Sequence, residues 1–167
     1  MMADLNNDFD QEPLDTPIKI RFALAVNKQN QFERKHFGEV EKYIIYEWLG
    51  DEFVLVSELP NTFKSDDKPH VHGSRKKGNG ITNYLKQEGV RVLVSMQFGK
   101  NIQLVNKHFA LVKTSSETAT DVLKPLSKYM KWIEDELLRE PENYKLFDIR
   151  NGVVKSSVKK NKQLSSD

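Results

Sequence analysis

The sequence predicts an α/β domain built on a mixed five-stranded sheet, and three patterns carry that expectation. Ile18 to Val26 (IKIRFALAV) alternates at first and then becomes continuously apolar, as a strand does when it enters the middle of a sheet. Tyr43 to Trp48 and Phe53 to Val56 are short β-rich runs flanking Gly50 and Asp51, the spacing of a hairpin. Twice thereafter a helical stretch leads into an apolar run, Val90 to Met96 and then Phe109 to Val112. Repeats of helix then strand place the strands parallel to the first and bury both their faces.

Composition sets the bounds. A chain of 167 residues buries one sizeable core, so a single domain with tails is the simplest organisation. Its 38% hydrophobic and 30% charged content points to polar termini diluting an ordinary core. The 26 bases against 24 acids leave a net charge of +2, which is no nucleic-acid signature. The absence of cysteine excludes a disulfide framework and any thiolate ligand, leaving four histidines as the strong nitrogen ligands. The acidic start does not resemble a signal peptide and no apolar run approaches about 18 residues, so a cytoplasmic protein without a membrane partner is expected.

In chain order, residues 1–17 contain five acids, no base and two prolines, and read as a disordered acidic tail. The α/β domain is expected over 18–138. After the first strand comes a polar loop to Arg34, then His36-Phe37-Gly38 and the hairpin. A second loop through Pro60 leads to His70, His72 and the glycine-broken stretch ending Gly78-Asn79-Gly80. Ile81, Tyr84 and Leu85 share one helical face while Asn83, Lys86, Gln87 and Glu88 take the other, and Gly89 suits the left-handed residue that closes a helix. A further short helix is expected around Ile102, Leu104 and Val105. Ser115, Ser116 and Thr118 offer caps for the longest helix, whose stripe is Leu123, Leu126, Met130, Ile133 and Leu137. Pro125 implies a bend or a start nearer Asp121, and Pro141 ends the helix. Residues 139–154 form a C-terminal extension in which Tyr144 to Ile149 and Val153-Val154 make a small hairpin across Asn151-Gly152, and 155–167 is a disordered basic tail.

In open sheets of this kind, the loops beyond the C-terminal ends of the strands form the ligand crevice. Here they are Asn27 to Gly38 and Met96 to Asn101. The helix beginning at Gly80 aims its free N–H groups and positive dipole end at Gly78, Asn79 and Gly80, a field that favours an anion, and Arg75, Lys76 and Lys77 reinforce it.

The order of these motifs resembles the nitrogenase iron-molybdenum cofactor biosynthesis family. His36-Phe37-Gly38 is similar to that family's His-Phe-Gly motif, His72-Gly73 with Gly78-Asn79-Gly80-Ile81 to its His-Gly and Gly-x-Gly-Ile loop, and Phe98-Gly99-Lys100-Asn101 to its Gly-x-Asn turn. The resemblance spans roughly Ile18 to Leu138. Two departures stand out: Met96, Gln97 and Phe98 occupy places where small residues are common, and His108-Phe109 replaces a Gly-Ile, which implies a narrower pocket.

The resemblance implies a ribonuclease H-like three-layer domain that binds or carries an iron-sulfur or iron-molybdenum cluster precursor without catalysing a reaction. The residues it implies as ligands are His36 and His72, with His70 as substitute. Gly38, Gly73, Gly78, Asn79, Gly80 and Asn101 would shape the crevice, and the partner would be a cluster donor or acceptor protein. A preassembled cluster brings its own sulfides, so imidazoles and backbone N–H groups can suffice. Read without the family, His70 and His72 are exposed loop residues, His36 caps a turn and the basic run is a solvated surface. Two other functions stay open: a module binding a phosphorylated small molecule at the same helix N-terminus, and a scaffold whose tails recruit partners while the pocket is vestigial. A metal-dependent nuclease would need carboxylates beginning on the first strand, and Ile18 to Val26 has none.

Overall fold

The computed structural model describes residues 19–63, 80–99, 105–150 and 153–156. Strand β1 (Ile20–Val26) leads through a 3-10 turn at Phe37–Glu39 into β2 (Lys42–Trp48) and β3 (Phe53–Pro60). Helix α1 (80–87) precedes β4 (Val90–Ser95) and β5 (Ala110–Thr114), then come α2 (Ala119–Lys128), α3 (Met130–Arg139), β6 (Leu146–Arg150) and β7 (Val153–Ser156).

The sheet runs β3-β2-β1-β4-β5-β6-β7. Strand β4 is parallel to β1 and β5 to β4, as expected, while β2 is antiparallel to β1 and β3 to β2. The sheet has seven strands rather than five: the expected C-terminal hairpin forms, β7 antiparallel to β6, and it joins the sheet by the parallel pairing of β6 with β5. What brings β6 there is a set of tertiary bonds that no local pattern announces. The Tyr144 N–H donates to the Asn106 carbonyl at 2.7 Å. The Asn106 amide donates back to the Tyr144 carbonyl at 3.2 Å, and the Lys145 N–H donates to the buried Glu136 carboxylate at 2.9 Å.

Strand alternation sends side chains to two cores. Phe22, Leu24, Val92, Val94 and Val112 face α2 and α3, where Val122, Leu126 and Ile133 are fully buried. Ala23, Ala25, Tyr43, Leu93 and Leu111 face α1, which supplies Ile81 and Leu85. Tyr84 of α1 is only half-buried, while Asn83, Lys86 and Gln87 are exposed.

Gly89 ends α1 at φ +78°, the left-handed conformation for which glycine carries no Cβ penalty. The Arg21 guanidinium donates to the Glu88 carbonyl at 2.9 Å and fastens this helix end to β1. Gly50, at φ +105°, serves the β2–β3 turn in the same way.

The single long helix expected after β5 is corrected to two. Tyr129, at φ −111° and ψ 16°, separates α2 from α3. Pro125 removes one backbone donor within α2 and crowds the preceding turn. The Ser127 hydroxyl competes for the Leu123 carbonyl at 2.8 Å, which loosens the next turn. The apolar stripe also shifts, for Val122 is fully buried where Leu123 is only half-buried. Of the three offered caps Thr118 is the one used: its hydroxyl accepts from the Asp121 N–H, and the Asp121 carboxylate accepts from the Thr118 N–H, both at 3.2 Å.

Candidate functional site

The loops after β1, β4 and β5 meet at one end of the sheet. Buried Asn27 organises the first of them, its side-chain oxygen accepting from the Gln29 and Gln31 N–H groups at 2.9 Å each. Its amide donates to Gln31 at 3.2 Å and to the Glu33 carboxylate at 2.8 Å. That amide, ahead of Lys35 at 3.3 Å, holds the Glu33 carboxyl below its ordinary value against the opposing effect of burial. The loop then reaches across to α2, where the Phe32 N–H donates to the Glu117 carbonyl at 3.0 Å and the Ala119 N–H to the Asn30 carbonyl at 2.9 Å. With the Thr118–Asp121 box and this carbonyl in place, the N-terminus of α2 is already partnered.

The same loop delivers His36. Its backbone is extended at φ −64° and ψ 154°, and a parallel bridge to Gln97 ties it to the loop after β4. The side chain is exposed, with its Nδ1 edge against Gly99. A methyl group on Gly99 would stand 2.9 Å from Nδ1 and 3.2 Å from Cγ, so only glycine leaves the ring its place. Phe37 turns inward beneath, stacked on Tyr43 at 4.8 Å and on Phe98 at 5.8 Å between ring centres. The Tyr43 hydroxyl donates to the Phe37 carbonyl at 2.9 Å, and its burial raises that hydroxyl's pKa, keeping it a donor. Phe98, whose size departs from the small residues expected there, thus walls the crevice. Ser95 shapes the adjoining turn, donating to the Gln97 carbonyl at 2.8 Å.

On the other side, Asn61 follows β3 and donates to the carbonyls of Gly38 at 3.0 Å and Val40 at 2.9 Å. Two residues on, the Phe63 ring covers Gly80, the first described residue of α1, so closely that a Cβ there would lie 2.7 Å from the ring. The described part of the expected site is therefore His36, Gly38 and Gly80, and all three border the cluster that packs Phe37, Val40, Ile81, Phe63 and Phe98 together. His70, His72, Gly73, Gly78, Asn79 and Asn101 lie outside the described residues, as do Arg75, Lys76 and Lys77. Asn61 and Phe63 were not singled out in the sequence; the available signal was the turn chemistry of Pro60-Asn61 at a strand end.

His108 stands apart from the crevice. It precedes β5, at the opposite end of the parallel strands, where burial and then Lys86 and Lys107 depress its pKa below 6.5. Among the described residues no group of three or more His, Asp or Glu is placed to hold a bare metal ion. What the crevice offers is an imidazole on a glycine seat beside aromatic walls. No helix among the described residues is long and apolar enough to cross a membrane.

Comparison with known families matches residues 18–129 to the family model described as dinitrogenase iron-molybdenum cofactor. The match runs from the start of β1 to the break after α2, well over half of the chain, and takes in the crevice. Comparison with curated proteins returned no match.

Proposed function

The chain belongs to the dinitrogenase iron-molybdenum cofactor family, and from that premise we propose that its crevice takes up a preassembled iron-sulfur or iron-molybdenum cluster precursor and passes it on unchanged. Membership ties the chain to the biosynthesis or binding of that cofactor. The carrier role is the finer reading, supported above all by one observation: His36 is pinned by its bridge to Gln97 and seated on Gly99, within the matched segment, with its ring exposed.

In this reading the Nδ1 edge rests on Gly99 and Nε2 is the nitrogen left to meet an iron of the cargo. His72, or His70 in its place, supplies a second imidazole. Gly38, Gly73, Gly78, Asn79, Gly80 and Asn101 keep backbone close to the cluster, where N–H groups can hydrogen-bond its sulfides. The order β3-β2-β1-β4-β5, with only β2 reversed, supports the ribonuclease H-like description, and β1 brings no carboxylate for hydrolytic chemistry on that scaffold. The work is non-catalytic and cytoplasmic, with a cluster donor or acceptor protein as partner.

The test is anaerobic incubation with a preassembled iron-sulfur cluster supplied in solution, followed by iron and sulfide analysis of the desalted protein. The intact chain should retain both, His36→Ala should retain less, and His36→Ala with His72→Ala should retain none. Equal retention by the double variant would remove the named ligands. Inorganic phosphate bound in the crevice, with no iron retained, would replace the carrier reading with a phosphate-binding one.

A further inference from the structure

We propose that Asn61 is the positioning residue of the crevice, a clasp that sets the spacing between the His36 turn and the N-terminus of α1. The inference rests on the reading of that crevice as the binding site.

Among the described residues no strand pairing joins the 3-10 turn carrying His36-Phe37-Gly38 to the start of α1. Asn61 reaches both. Its backbone N–H donates to the Glu41 carbonyl at 3.0 Å, just outside the first pair of the β2–β3 ladder. Its amide nitrogen has two hydrogens and gives one to Gly38 and one to Val40, the residues on either side of Glu39. The side-chain oxygen accepts from the Phe63 N–H at 3.0 Å, closing an Asx turn. This turn aims the Phe63 ring at Gly80, where a Cβ would lie 2.7 Å from one ring carbon and 2.8 Å from another, and against Tyr84 at 5.5 Å between ring centres. One carboxamide therefore uses both donors on the His36 side and its oxygen on the α1 side. No other residue type offers two donors and an acceptor at this length: aspartate has the shape but would set an oxygen against two carbonyls, and glutamine is one carbon longer. A mis-set separation is felt in binding, because a cargo held from two sides needs both within about 0.5 Å of their places.

Three variants test this: Asn61→Asp, Asn61→Ala and Phe63→Leu. Each is read by the amide and imidazole NMR signals of His36, Gly38, Gly80 and Ile81, and by iron retained after anaerobic incubation with a preassembled iron-sulfur cluster. Asn61→Asp and Asn61→Ala should move the signals on both sides together and weaken iron retention about tenfold, with the number of iron atoms at saturation unchanged. Phe63→Leu keeps the carboxamide and should move only Gly80 and Ile81. It also keeps the test decisive should the Asn61 variants fail to fold. A residue that merely stabilised the fold would lower the melting temperature and leave these signals in place below it, and that result overturns the clasp. So does Phe63→Leu with Gly80 and Ile81 unmoved. If the intact chain retains no iron, the carrier reading falls by itself, and the coupled signal shifts still decide whether Asn61 sets the spacing.

Discussion

Replacing Gly99 with alanine separates the binding role of His36 from its place in the fold. Gly99 does not lie at positive φ, so its backbone accepts a side chain; what objects is the imidazole, 2.9 Å from the new methyl at Nδ1 and 3.2 Å at Cγ. Ordinary contact begins at 3.4 Å, so the ring must withdraw by the difference. The two backbones cannot open easily, since the His36–Gln97 bridge ties the segments. The ring is exposed and can swing outward instead, at a cost of about 0.5–1.5 kcal/mol for leaving its rotamer. That is the low end of what overpacking costs in a closed core, about 1–3 kcal/mol. Stability should therefore fall by about 1 kcal/mol, or about 2–4 °C in melting temperature for a chain of this size. Iron retention after anaerobic incubation with the preassembled cluster should fall as far as in His36→Ala. Thermal unfolding by circular dichroism, iron analysis and the His36 ring signals check the three parts. Wild-type iron retention with the ring signals displaced would refute the assignment of His36 as a ligand, and unmoved ring signals would refute the contact itself.

Other perturbations follow from single contacts. Gly89→Ala meets no clash, since Arg21 Cδ at 3.8 Å is in ordinary contact distance, but must hold φ +78°; it should cost about 1–2 kcal/mol, seen in chemical denaturation, with iron retention intact because the substitution lies at the end of α1 opposite Gly80. Thr118→Ala removes one half of the capping box and should lower stability by about 1 kcal/mol, while Thr118→Ser should restore most of it. His108 has its pKa lowered in the fold, so the native chain takes up that proton less readily than the unfolded one. Its contribution is present above about pH 6.5 and is lost as the pH falls through the depressed folded value. In His108→Gln the drop in melting temperature between pH 7.5 and pH 5.5 should be smaller, by a modest amount because the side chain is exposed and screened.

Much of the fold was legible in the chain because it is written in short-range periodicity. The run Ile18 to Val26 reads as a strand entering the sheet centre and is one from Ile20, Ile81 and Leu85 define a helix face by their spacing, and Gly89 marks its end by the left-handed conformation that suits glycine. These signals concern residues a few positions apart, and the local backbone enforces them whatever the rest of the chain does.

What the tertiary structure decided concerns residues far apart in the chain, or elements too short to speak for themselves. Strand β6 has five residues, and its place beside β5 is set by that ladder together with the bonds of Asn106 and Glu136 to the segment before it. The break at Tyr129 had a visible cause in Pro125, but its position came from where Met130 and Ile133 could continue to meet the sheet. At the crevice, residue types and motif order pointed to His36, Gly38 and Gly80. That His36 sits on Gly99, and that Asn61 joins Gly38 to the turn covering Gly80, are contacts across 63 and 23 positions fixed by the strand order. Spacing along a chain carries the period of an element; it does not carry the closure of one loop upon another, which exists only once the sheet has brought their ends together.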